Sequence, residues 1–167
     1  MKLRKDQFSA PLYLDASVAV KLLIEEEHSE KVKSYFESKV ASMTVFCFHE
    51  TLSVLKGKWK RKELTEKEYL NATYRFISLV QFEYIELDDD FDLTDDSVFF
   101  EIQSIVKESE TDLSDALQIL SVKKGRYKSS TGYSKTILAT ADQGLVRSAK
   151  AFDVRIWDVL NDEPPIN

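Results

Sequence analysis

The chain has 167 residues and a formal net charge of −6, with 43% hydrophobic and 31% charged residues. This length suffices for one domain with a hydrophobic core, and the acidic balance argues against a protein that simply coats nucleic acid. One cysteine excludes an intramolecular disulfide, and two histidines are too few for a His-rich zinc site. No apolar run reaches the roughly 18 residues that cross a membrane, and the N-terminus lacks the apolar core of a signal peptide. We expect a cytoplasmic protein with no membrane partner.

The apolar pattern predicts five strands that alternate with helices. The strands are expected at 11–15, 41–46, 82–87, 136–141 and 153–157. The helices are expected at about 16–25, 28–39, 46–62, 65–80, 95–108, 111–122 and 144–151. Strands that alternate with helices are typical of a mainly parallel sheet covered on both faces. We therefore expect an α/β fold with three layers, α/β/α, in a single domain over residues 1–167 with its core at about 11–160.

Two predicted strands end near an aspartate that has a hydroxyl side chain two positions away. Asp15 precedes Ser17 after the first strand, and Thr140 precedes Asp142 at the end of the fourth. Ligand sites of open α/β sheets lie beyond the carboxyl ends of the strands, which makes these residues candidates for a site. Aspartate is also a favoured N-cap residue, so capping of the following helix is the simpler explanation of Asp15 taken alone.

Two further carboxylates interrupt apolar stretches of predicted helices. Glu50 is expected in an apolar patch between Phe46 and Val54, and a first-turn glutamate favoured by the helix dipole is the alternative. Asp115 is expected on a second apolar side of its helix, with Asp112 about 60° away and explicable as a cap. Because a buried, unpaired carboxylate is costly, these positions call for a common explanation with the strand-end aspartates.

Divalent cations would explain four crowded carboxylates. Like charges resist ionising next to one another, and hard cations such as Mg²⁺ or Mn²⁺ prefer oxygen ligands. Two such ions activate a water and stabilise the leaving oxygen of a phosphodiester without histidine or cysteine. An acidic protein of this kind can cut an acidic polymer, because the metal ions supply the positive charge.

Charged segments elsewhere have simpler interpretations. The acidic run at 88–92 is predicted to be a solvated loop, and 123–135 is predicted to be a basic loop. Basic side chains at the end of the third helix and in this loop are candidates for contact with a phosphate backbone, although a solvated helix end is the alternative for the helical ones. The candidates are Lys56, Lys58, Lys60, Arg61, Lys123, Lys124, Arg126 and Lys128.

Four motifs, in this order along residues 11–160, resemble those of the PIN-domain ribonucleases and in particular the VapC-like toxins of toxin–antitoxin pairs. The motifs are Leu12-Tyr-Leu-Asp15-Ala-Ser17, Phe48-His-Glu50-Thr-Leu52, Leu113-Ser-Asp115-Ala116-Leu117 and Leu138-Ala-Thr140-Ala-Asp142. The resemblance implies a PIN-like three-layer sheet and endonucleolytic cleavage of RNA with Mg²⁺ or Mn²⁺. It also implies an antitoxin protein and a second copy of the chain as partners.

The resemblance assigns roles to the candidate residues. Asp15, Glu50, Asp115 and Asp142 would bind the metal ions or orient metal-bound water. Ser17 and Thr140 would order the site, and Asp112 would be an additional acid.

Two alternative functions remain at this point. A PIN-fold module without catalysis would bind RNA or assemble with a partner, but it would not need all four acids. A phosphotransfer protein also places aspartate at strand ends. However, haloacid-dehalogenase-like phosphatases need a second aspartate where Ser17 stands, and receiver domains need an acid pair where Asp15 stands alone.

Overall fold

The computed structural model describes residues 10–37, 39–126, 128 and 135–166. Within these ranges the chain forms five strands, β1 (Leu12–Leu14), β2 (Ala41–Thr44), β3 (Ile85–Asp88), β4 (Ile137–Thr140) and β5 (Ile156–Asp158). The helices are α1 (Ala16–Leu23), α2 (Ser29–Phe36), α3 (Val45–Lys60), α4 (Glu66–Gln81), α5 (Asp96–Ser109), α6 (Leu113–Lys124) and α7 (Gln143–Ala151). This succession confirms the predicted order of strands and helices.

The five strands form one sheet in which every neighbouring pair is parallel. The strand order is β3-β2-β1-β4-β5, with β1 at the centre. Leu12 of β1 lies opposite Ala41 of β2 and Ile137 of β4. Helices cover both faces of the sheet, which confirms the expected α/β fold with three layers.

Alternating side chains of β1 enter two separate hydrophobic cores. Leu12 and Leu14 pack with apolar side chains of α1, α3 and α4 on one face of the sheet. Tyr13 points to the other face and packs with α5, α6 and α7. Burial on both faces explains why the strands are nearly continuous apolar runs in the sequence. None of the described helices combines the length and apolar character that a membrane span requires.

The third strand begins later than predicted. The sequence pattern placed it at 82–87, whereas β3 runs from Ile85 to Asp88. Phe82 instead caps the end of α4 and is 71% exposed, and Glu83 has a left-handed φ of 59° that turns the chain away from the helix. The first residues of the alternating sequence pattern therefore belong to the end of α4 and to the turn that follows it, not to the strand.

The predicted basic loop also begins later than expected. Helix α6 continues to Lys124, so Lys123 and Lys124 lie in its last turn rather than in a loop. Residues 127 and 129–134 of that predicted loop lie outside the described residues.

Candidate metal centre

The candidate site lies where the strand order reverses. The chain connects β1 to its neighbour β2 on one side, and β4 lies on the other side of β1. At such a reversal a crevice opens beyond the carboxyl ends of the two central strands. Asp15 follows β1 directly and Asp142 follows β4 by two residues, so both aspartates lie at this crevice.

Asp15 is held by hydroxyl groups from both strand ends. It is 5% exposed, and its Oδ2 accepts hydrogen bonds from the Ser17 N–H at 3.2 Å, the Ser17 hydroxyl and Thr140 Oγ1 at 2.9 Å. Ser17 Oγ accepts from the Ala141 N–H, and Thr140 Oγ1 accepts from the Asp142 N–H, both at 2.9 Å. The two hydroxyl residues thus tie the ends of β1 and β4 together, and they leave Oδ1 of Asp15 outside this network.

Asp115 projects from the first turn of α6 and is half-buried. Thr111 Oγ1 donates a hydrogen bond to its Oδ2 at 3.0 Å. Burial and the neighbouring charge of Asp112 raise the pKa of Asp115 from 3.8 to about 7, and the charges of Asp15 and Asp142 add to this effect. Among the described residues, no positive charge offsets these effects at the Asp115 carboxylate.

Glu50 lies at the rim of the crevice rather than inside an apolar patch. The prediction of a second buried side of α3 is wrong, because Glu50 is exposed and Phe46 is 49% exposed. The side of α3 that is buried carries Cys47 and Leu55. Partial loss of solvent raises the pKa of the Glu50 carboxyl, and the charge of Asp15 raises it further. Glu50 is thus near enough to the aspartates to be affected by them.

Asp112 and Asp142 are exposed N-cap residues whose helices begin at the crevice. Asp112 Oδ1 accepts a hydrogen bond from the Asp115 N–H at 2.9 Å. Asp142 Oδ1 accepts hydrogen bonds from the N–H groups of Gly144 at 2.5 Å and Leu145 at 3.1 Å. The capping explanation considered for Asp112 is correct, and Asp142 caps α7 in the same way. Both caps coexist with a position at the site.

Gln118 is a residue of the site that the sequence analysis missed. It is fully buried, and its Nε2 lies 3.3 Å from Asp15 Oδ1 and 3.4 Å from Asp115 Oδ1. It therefore joins two of the candidate ligands. One signal was present in the sequence, since Gln118 interrupts an apolar helical segment three residues after Asp115 and so shares its face.

The acidic side chains of the site border one open cleft with a volume of about 220 Å³. All four candidate ligands line it together with the additional acid, namely Asp15, Glu50, Asp112, Asp115 and Asp142. No basic side chain of the described residues lines the cleft. Three features of the cleft suit a hard divalent cation. Its polar lining offers oxygen ligands, the pKa values of Glu50 and Asp115 are raised, and Oδ1 of Asp15 lies outside the Ser17–Thr140 network. The residues present therefore fit Mg²⁺ or Mn²⁺.

Half of the candidate RNA-contacting side chains pair with carboxylates. Lys58 lies 3.2 Å from Glu26 and 3.3 Å from Glu63, and Arg61 lies 2.5 Å from Glu63. Lys124 pairs with Glu101, and Arg126 pairs with aspartates at the end of β3. The other candidates are exposed and make no ion pair within the described residues, namely Lys56, Lys60, Lys123 and Lys128.

A second acidic group lies at the end of β3, where a solvated loop was predicted. That prediction is wrong for Asp88, which is 5% exposed and accepts a hydrogen bond from the Tyr13 hydroxyl at 2.8 Å. The carboxylates of Asp88, Asp89 and Asp90 lie within 4.8 Å of one another. Arg126 contacts all three, so this group already has a cationic partner.

The fold and the cleft define an α/β protein with an acidic site at the carboxyl ends of a parallel sheet. The chain is similar to PAE2754 from Pyrobaculum aerophilum, whose crystal structure matches 91% of this chain and 94% of its own, with a TM-score of 0.58 and 17% sequence identity. At this identity the similarity concerns the fold alone. No family model matches the chain, and no curated protein matches it significantly.

Proposed function

We propose that the protein is a metal-dependent endoribonuclease of the PIN type that hydrolyses RNA phosphodiesters with Mg²⁺ or Mn²⁺. The observation that carries the proposal is the convergence of acids from four separate segments on one cleft. These acids are Asp15, Glu50, Asp115 and Asp142. Helix capping explains single aspartates, but it does not explain Glu50 and Asp115, which cap no helix and have raised pKa values.

The chain's own residues divide the work of the site. Asp15 and Asp115 are the direct ligands, because hydroxyl groups hold Oδ2 of each, whereas only the Gln118 amide lies at Oδ1 of each. Glu50 and Asp142 lie on the exposed side of the cleft, where they can hold a further ion or orient a water molecule. A bound Mg²⁺ or Mn²⁺ supplies Lewis acidity at a phosphate oxygen and lowers the pKa of bound water.

We extend the proposal to the toxin of a toxin–antitoxin pair on the resemblance of the four motifs. One feature of the surface supports a protein partner. Leu70, Tyr74 and Ile77 are spaced along one side of α4, and they are 56%, 75% and 38% exposed. Exposed apolar side chains that follow one helix face are typical of an interaction surface. An antitoxin or a second copy of the chain would cover such a stripe.

The test is cleavage of end-labelled single-stranded RNA in Mg²⁺ or Mn²⁺, with and without a chelator. We expect Asp15→Asn to reduce cleavage at least about 100-fold, since removal of one charged ligand disables the cation site. Asp95→Asn is the matched control, because Asp95 also caps a helix but lies at the start of α5, outside the cleft. It should cleave like the wild type.

Calorimetric titration with Mn²⁺ separates the ways in which cleavage can fail. Binding of Mn²⁺ that requires Asp15, without cleavage of any RNA tested, would favour the alternative of a module that binds but does not cut. Cleavage that survives in Asp15→Asn, or a wild-type protein that does not bind Mn²⁺, would contradict the proposal.

A further inference from the structure

The Gln118 amide occupies the position between the two proposed direct ligands. Its Nε2 lies 3.3 Å from Asp15 Oδ1 and 3.4 Å from Asp115 Oδ1. The other oxygen of each carboxylate is engaged by hydroxyl groups, from Ser17 and Thr140 for Asp15 and from Thr111 for Asp115. The amide hydrogens thus point to the two carboxylate oxygens that no other described residue hydrogen-bonds.

The other end of the same amide has no partner. Gln118 Oε1 is buried and accepts no hydrogen bond from the described residues. A buried acceptor left without a partner is unfavourable, because it loses its hydrogen bonds to water and gains none in the protein. A glutamine at this position therefore satisfies its donors at the carboxylates and leaves its acceptor without a hydrogen bond, which is unexpected for a residue that serves packing alone.

We propose that Gln118 is an additional oxygen ligand of the cation site, and that its amide reverses when a cation binds. This inference rests on the proposed cation site. Without a cation, the NH₂ group faces Asp15 and Asp115 and separates their charges. With a cation bound, a half-turn about the last side-chain bond exchanges Nε2 and Oε1, and the unpartnered oxygen then faces the site.

Electrostatics favour opposite amide orientations in the two states. Facing two carboxylates, the NH₂ group is attracted and the carbonyl oxygen is repelled, so the orientation seen here is favoured without a cation. A divalent cation reverses both preferences, and Gln carbonyl oxygens are established ligands of hard cations. Exchange of the two atoms requires no backbone movement, which suits a residue fully buried in α6.

Two substitutions separate a ligand from a spacer. Gln118→Met keeps the length of the side chain and removes both donor and acceptor, whereas Gln118→Glu keeps an oxygen acceptor and removes the NH₂ group. Gln143→Met is the matched control, because Gln143 also donates to an aspartate, Asp158 at 3.0 Å, but outside the cleft. The readout is the dissociation constant of Mn²⁺ from calorimetry, with Asp15→Asn measured in parallel.

We expect Gln118→Met to weaken Mn²⁺ binding by about 10- to 100-fold, the range typical of groups that support a metal site. Gln118→Glu should bind Mn²⁺ at least as tightly as the wild type, and Gln143→Met should equal it. Unchanged Mn²⁺ affinity in Gln118→Met, or equal losses of affinity in both Gln118 variants, would overturn this inference. The proposed cation site would still stand if Asp15→Asn lost Mn²⁺ binding in the same experiment. A wild-type protein that does not bind Mn²⁺ would overturn both.

Discussion

At the scale of single residues, three aspartates of the cleft have a structural role as helix caps in addition to the chemical role proposed for them. Asp15, Asp112 and Asp142 are the N-cap residues of α1, α6 and α7, and each accepts a backbone N–H of the first helical turn. Asparagine caps a helix about as well as aspartate. Asp→Asn variants therefore keep the caps and remove only the charges, which is why they test the chemistry of the cleft.

The raised pKa of Asp115 predicts a gain in stability when its charge is removed. Because the folded protein holds the Asp115 proton up to about pH 7 and the unfolded chain releases it near pH 3.8, the free energy of unfolding falls as pH rises between these values. Asp115→Asn should therefore raise the free energy of unfolding at pH 8 by about 1–3 kcal/mol, after allowance for solvent screening of a half-buried group. The gain should be smaller at pH 5. Urea unfolding in chelator measures both.

Asp95→Asn is the control for this experiment. Hydrogen bonds from Ser97 lower the pKa of Asp95 in the folded protein, so its ionised form contributes stability above the pKa of the unfolded chain. Asp95→Asn should therefore give no gain at pH 8. Equal stability of Asp115→Asn and the wild type at both pH values would mean that the ionised Asp115 carboxylate does not destabilise the folded protein. Saturating Mn²⁺ should stabilise the wild type more than Asp115→Asn.

At the scale of strands, a buried hydrogen bond joins β1 to β3 across β2. The Tyr13 hydroxyl donates to Asp88 Oδ2 at 2.8 Å, and burial followed by the Asp88 charge raises the pKa of Tyr13, so the hydroxyl keeps its proton. Tyr13→Phe should lower the free energy of unfolding by about 1–3 kcal/mol, because it removes the donor to a buried carboxylate oxygen. Chemical denaturation at neutral pH measures the loss.

Tyr35→Phe provides a control with the same chemical change. The Tyr35 hydroxyl oxygen is buried and has no hydrogen-bond partner among the described residues. Its removal should leave the free energy of unfolding unchanged or raise it, since an unsatisfied polar atom is lost. A loss of stability in Tyr35→Phe equal to that in Tyr13→Phe would assign the effect to general packing rather than to the bond with Asp88.

The sequence predicts features of this fold that depend on local pattern, and it misses those that depend on distant partners. The strand-end positions of Asp15 and Asp142 follow from short apolar runs and strand direction, and the structure confirms them. Asp88 was expected in solvent because its partners, Tyr13 and Arg126, are far away in the chain. The burial of Gln118 likewise depends on the packing of α6 against the sheet, which periodicity alone does not reveal.

At the scale of the whole molecule, an acidic protein needs specific positive groups to hold RNA. The net charge is −6, and ion pairs already engage Lys58, Arg61, Lys124 and Arg126. Lys56 and Lys60 are exposed one turn apart on α3, the helix that carries Glu50, and they make no ion pair within the described residues. These two lysines are therefore the strongest candidates to contact the phosphates of an RNA strand that reaches the cleft.

Removal of both lysines should weaken RNA binding in a salt-dependent way. Each phosphate contact to a single strand contributes about 0.7 to the slope of log affinity against log salt concentration, so Lys56→Ala/Lys60→Ala should reduce the slope by roughly 1 to 1.5. Lys107→Ala/Lys150→Ala removes the same charge from exposed positions on α5 and α7. RNA binding by both double variants is measured in Mg²⁺ with Asp142→Asn also present, because this third substitution suppresses cleavage. Equal slopes for the two double variants would mean that net charge, rather than a path along α3, governs the approach of RNA.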